Sequence, residues 1–193
     1  MRKPRASGAG GWLPVGALTL WCGVACSADV PRLSVEYENR EFIVTAELVL
    51  SAPRSAVFRV LSDYPGWVRL NRNITDSAVL PPKIGGQVRV RSSTRACLLF
   101  LCRDIVQTQA VTLHGDSELV AVTDSEADNL RQGWVRWRLA DRGSATFVRL
   151  DARLAPDFWL PPLIGPWSVR SVLRGQVLET AVNLERLAAA GGR

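Results

Sequence analysis

A single histidine, His114, sets the limit on acid–base chemistry in this chain. It precedes Gly115 and Asp116, a turn signature. A nucleophilic triad needs its imidazole beside a nucleophile and oriented by a carboxylate. No Gly-Xaa-Ser-Xaa-Gly elbow, Walker loop or dinucleotide fingerprint occurs. Paired carboxylates could do acid–base work only if both faced one pocket. Asp63 ends a predicted helix, while Glu118 and Asp151 fall in predicted strands. Asp151 shares its alternation phase with Arg149 and Arg153, which assigns it to a solvated face. No catalytic residue is assigned on this pattern.

The four cysteines divide by compartment. Arg2, Lys3 and Arg5 precede an uncharged, largely apolar run from Gly11 to Ala25, and Cys26-Ser27-Ala28 supplies the small residues of a cleavage site. That order is a secretory signal, residues 1–28, and the run is short of the roughly 20 residues that span a bilayer. An uncleaved anchor or a lipoprotein site at Cys26 is the weaker alternative. Export, to the periplasm in a bacterium, is the expectation. Cleavage would remove three of the 24 basic residues and none of the 18 acidic ones, halving the excess from +6 to +3. Cys97 and Cys102 would then be the only cysteines. With His114 they are too few for a structural zinc site of about four ligands, so neither a metal nor a cofactor is expected.

Cys97 and Cys102 have two open states. On one continuous strand they would stand roughly 16 Å apart, and a disulfide needs Cα atoms within about 7 Å, so a bridge requires a turn between them. The other state is two reduced cysteines buried as small hydrophobes. If the bridge forms, Leu98-Leu99-Phe100-Leu101 occupies a hairpin tip flanked by Arg95 and Arg103. Such a tip suits transient contact with an anionic membrane.

At 193 residues, 47% hydrophobic and 22% charged, the chain is one globular domain, not a disordered or polytopic one. Glu41–Leu50 reads as a strand. Pro53 suits the first position of a helix carrying Val57, Phe58, Leu61 and Tyr64 on one face, which Pro65-Gly66 ends. Strands follow over 73–80, 86–95, 103–113, 118–123, 132–139 and 146–154, alternating with turn signals at Pro81-Pro82, Gly115 and Gly143. After Pro161-Pro162, Val169, Val172, Leu173, Gln176, Val177, Thr180, Ala181, Leu184 and Leu187 make one stripe of a long amphipathic helix that Gly191-Gly192 ends. Residues 29–41 read as a lead-in and 42–190 as the domain.

This order resembles the START-like SRPBCC superfamily. The matching residues are Ser51-Ala52-Pro53, Val57-Phe58-Arg59-Val60-Leu61-Ser62-Asp63-Tyr64, Trp137-Arg138-Leu139 and the Pro161-Pro162 break. The resemblance covers roughly 42–188, and its nearest branch holds polyketide cyclase/dehydrase and lipid-transport proteins, with coenzyme-Q-binding proteins as cousins. It implies an α+β helix-grip fold: a curved antiparallel sheet of about seven strands wrapped around a long C-terminal helix, enclosing an elongated apolar cavity. Trp137 lies in phase with Val135 and Leu139 on one strand, as Leu150 does on the core phase of the next. Phe158, Trp159 and Trp167 flank the start of the long helix, where the family's cavities open. With Trp67, and with Leu173 and Val177 on the helix stripe, these ten residues are the expected ligand contacts.

The sequence pI of about 9.8 leaves nucleic acid open at first sight, through Arg89, Arg91, Arg136, Arg138, Arg149 and Arg153. Interspersed acidic residues and the export signal argue for a solvated face instead. The expectation is an exported protein that binds a lipid or quinone-like molecule without catalysis. A cyclase- or aromatase-type enzyme using the same cavity is the alternative.

Overall fold

Buried and half-buried residues alternate without a break along Glu41–Leu50, which makes it a strand with one core face: Phe42, Val44, Ala46, Leu48 and Leu50 point inward. The computed structural model describes residues 28–82, 87–98, 101–124, 130–157 and 165–191. It makes this strand the second (β2) of eight. The others are β1 (Asp29–Glu38), β3 (Ile74–Leu80), β4 (Val88–Leu98), β5 (Leu101–His114), β6 (Glu118–Thr123), β7 (Leu130–Arg142) and β8 (Ala145–Pro156). They form one antiparallel sheet in the order β1-β2-β8-β7-β6-β5-β4-β3. Helix α1 (Arg54–Ser62) and a 3₁₀ segment, Tyr64–Arg69, lie between β2 and β3, and helix α2 (Gly165–Ala190) closes the fold.

The sheet has eight strands because residues 29–38, expected only as a lead-in, pair along β2. Pro31 weakens the strand signal, since proline cannot donate to a ladder. It is tolerated here because β1 is the sheet edge and the register shifts between Asp29 and Arg32. Asn39 and Arg40 join β1 to β2 with φ of 50° and 65°, a two-residue turn whose handedness follows the strand twist. Gly115 and Gly143 take φ of 59° and 65° in the turns expected there.

Pro53 stands one residue ahead of α1, not inside it, and its carbonyl accepts the N–H of Ala56 (2.9 Å) and of Val57 (3.2 Å). α2 is fastened along its length. Arg174 donates to the Leu33 carbonyl of β1 (3.3 Å), and Asn183 to the Leu70 carbonyl (3.1 Å). Asn71 donates to the Gln176 carbonyl at 3.0 Å, and the Arg72 N–H reaches Glu179 at 3.1 Å. Near the C-terminal end of α2, Ala181, Leu184 and Ala188 are buried in the main core with Leu48, Leu50, Val57 and Leu61. Glu185 is buried there too, and its Oε1 accepts the Ser51 N–H at 2.8 Å.

Candidate functional site

Between the concave face of the sheet and the middle of α2 the side chains leave a cavity of about 240 Å³. Its apolar wall comes from several elements at once. β7 contributes Val135 and Trp137, and β8 contributes Leu150, Ala152 and Leu154. Across the sheet Trp137 pairs with Leu150 and Val135 with Ala152, so period-two alternation on two neighbouring strands builds one surface. Leu173 and Val177 cover it from α2, one turn apart on a single face. Trp67 closes one end. Its indole N–H donates to the Leu61 carbonyl at 2.9 Å, and its ring meets Tyr64 edge-on at 5.6 Å.

The structure thus brings together six of the ten expected ligand contacts: Trp67, Val135, Trp137, Leu150, Leu173 and Val177. Leu139 continues the Val135–Trp137 phase but is packed in the core beyond the cavity, 5% exposed. Trp167 does not line the cavity and is 79% exposed. The helix turns about 100° per residue, so Trp167, six residues before Leu173, points about 120° away from it. Phe158 and Trp159 lie outside the described residues. The cavity is also smaller than the elongated one expected, below the roughly 300–1,000 Å³ of most small-molecule sites.

Reading by residue type missed a polar strip on the cavity wall. Ser92 and Thr94 of β4 and Gln107 and Gln109 of β5 line the cavity, with Asn71, Gln176 and Thr180 near α2. Gln107 and Gln109 stand in phase with the buried Val111, and Ser92 with the buried Val90. That shared phase was the available signal: polar residues at core-phase positions of a strand. Asn71 is fully engaged, donating to Gln176 and to Thr180 Oγ1 (3.3 Å) and accepting from the Asn73 N–H (2.9 Å). Ser92 Oγ accepts a long hydrogen bond from Gln107 Nε2, 3.4 Å. The described lining residues include no charged side chain.

The carboxylates lie elsewhere. Asp63 pairs with Arg69, and Glu118 with Arg136 at 3.3 Å. His114 is not in the turn expected of it but ends β5, exposed and opposite Glu118. Asp151 accepts from Arg138 at 2.6 Å and from Arg149 at 3.1 Å on the outer face of the sheet. Burial pushes its carboxyl up, but the hydrogen bonds and charges of Arg138 and Arg149 outweigh that and hold it below its ordinary value. A depressed carboxyl contributes stability above the unfolded value and loses it as pH falls through the folded one. The gap in urea midpoint between wild type and Asp151→Asn is therefore expected near neutrality and should close as pH falls below 3.8. A gap independent of pH would show that the ion pairs do not stabilise the fold. Arg89, Arg136, Arg138, Arg149 and Arg153 all have acidic partners within 4 Å, which removes most of the free charge a phosphate-tracking face needs. Among the described residues no group of three or more His, Cys, Asp or Glu is arranged to hold a metal.

Cys97 and Cys102 are opposite each other in the β4–β5 ladder, Cα atoms 4.0 Å apart, and form a disulfide. The turn that a bridge requires is the hairpin between them. Leu99 and Phe100 of the expected membrane-contacting tip lie outside the described residues. Nearby, Arg95 pairs with Asp104 at 2.9 Å.

An open antiparallel sheet gripping a C-terminal helix over a cavity is the START-like SRPBCC helix-grip fold, and the chain has that fold. It is similar to a START superfamily protein from Mycobacterium smegmatis, with a TM-score of 0.59 and 14% identity over 74% of this chain and 94% of that one. It is similar also to the Zhui aromatase/cyclase from Streptomyces sp. R1128, with a TM-score of 0.55 and 14% identity over 78% of this chain and 93% of that one. A protein from Thermus thermophilus gives a TM-score of 0.57 and 17% identity over 78% of this chain and 99% of that one. No family model matches the chain. No curated protein matches it either.

Proposed function

We propose that this protein binds a small hydrophobic molecule between the sheet and α2 and carries it without chemical change. The observation that supports this most is the cavity itself, walled by Trp67, Trp137, Leu150, Leu173 and Val177. Burying apolar ligand surface there is worth roughly 25 cal/mol per Å², of which association takes back a large part. The described lining offers amides and hydroxyls but no carboxylate or imidazole, so it suits binding better than the proton transfers of a cyclase-type enzyme. The signal-like pattern of residues 1–28 supports export, and the Cys97–Cys102 bridge suits an oxidising compartment. Native mass spectrometry of protein purified from its own compartment should show an added mass that organic extraction removes. A clean apo mass across several gentle preparations would overturn the carrier reading.

A further inference from the structure

The polar strip has no purpose in a cavity built for a plain hydrocarbon. Ser92 and Gln109 are 3% and 5% exposed, as buried as the valines beside them. Gln107 Oε1 is buried without a hydrogen-bond partner. Gln109 lines the cavity, and its carboxamide makes no side-chain hydrogen bond among the described residues. Both amides line the same space, Gln107 with its Nε2 on Ser92 and its Oε1 unsatisfied, Gln109 with no side-chain partner among the described residues. A wholly apolar ligand would leave Gln107 Oε1 and the Gln109 amide without a partner, which loses affinity.

Charge narrows the class further. A carboxylate or phosphate brought into this cavity would find no counter-charge among the described lining residues, and an unpaired buried ion is strongly disfavoured. Size narrows it again. A cavity of about 150 Å³ takes benzene, so about 240 Å³ matches a two-ring group.

We propose that the ligand is an uncharged, two-ring-sized apolar molecule carrying a hydroxyl or carbonyl group. That group sits on the carboxamides of Gln107 and Gln109, and the rings lie between Trp67 and Trp137. The inference rests on the ligand-binding reading above and specifies its substrate class.

Equilibrium dialysis of the purified protein with three matched probes separates the possibilities. A purely apolar cavity prefers naphthalene to 2-naphthol, because the hydroxyl leaves water for nothing. This cavity should reverse that order, binding 2-naphthol about 5-fold more tightly or better, and should bind 2-naphthoate weakest. In a Gln107→Leu, Gln109→Leu variant, naphthalene should become the tighter ligand. Naphthalene binding more tightly to wild type would overturn the polar-end assignment and leave the hydrophobic-ligand reading standing. So would 2-naphthoate binding best. No binding of any probe would overturn both. The wild-type ranking decides the matter even if the double variant fails to fold.

Discussion

Val177→Trp should abolish ligand binding while the protein stays folded. Val177 faces the cavity from α2 beside Leu173 and Gln176. Val177 packs against the core as well as lining the cavity, so an indole there grows into the cavity at an overpacking cost of about 1–3 kcal/mol. Affinity for a two-ring probe is expected to fall at least about 100-fold, some 2.7 kcal/mol. Leu178→Trp is the matched control. Leu178 is 45% exposed, about 100° round the helix from Val177 and off the cavity, so binding should be unchanged. Wild-type affinity in a folded Val177→Trp protein would place the ligand elsewhere, and the broad groove beside Arg72, Leu178 and Val182 would become the next candidate.

Glu185→Ala should be among the most destabilising single changes on α2. Its carboxylate is fully buried, yet it is the acceptor for the Ser51 N–H where β2 passes into α1. Close by, Thr146 donates to the Ala52 carbonyl at 2.6 Å, so the whole junction is held by side chains instead of a ladder. Losing the acceptor costs a charge-assisted hydrogen bond to a part-buried N–H, about 1.5–3 kcal/mol. For a domain of this length that is a drop of roughly 5–10 °C in Tm. Glu185→Gln keeps an oxygen for Ser51 and should retain most of the stability. Equal urea midpoints for Glu185→Ala and wild type would show that this hydrogen bond does not fasten α2.

Much of the fold is legible in local patterns. Alternation in β2, β7 and β8, the turn residues Gly115 and Gly143, and the stripe along α2 are each set by neighbours a few positions apart. β1 is harder to see. Its signal is a shallow alternation interrupted by Pro31, and only the free edge of β2 makes it a strand. The tryptophans show the same division. Trp137 is placed correctly by its phase with Val135. Trp167 is expected at the cavity only by its place at the start of α2, and it lies off the stripe that Leu173 and Val177 mark.

The sequence by itself determined the α+β order, the core phase of the strands and the fact that a Cys97–Cys102 bridge needs a turn. These follow from backbone periodicity and chain reach, which are properties of short segments. Only the tertiary structure decided how much space remains under α2, and that the Gln107 and Gln109 amides face it with unmet hydrogen-bonding groups while Glu185 is sealed in the core. Cavity volume and polar satisfaction depend on where α2 rests on the sheet. That placement is fixed by contacts such as Asn71 with Gln176 and Ser51 with Glu185, between residues more than a hundred positions apart.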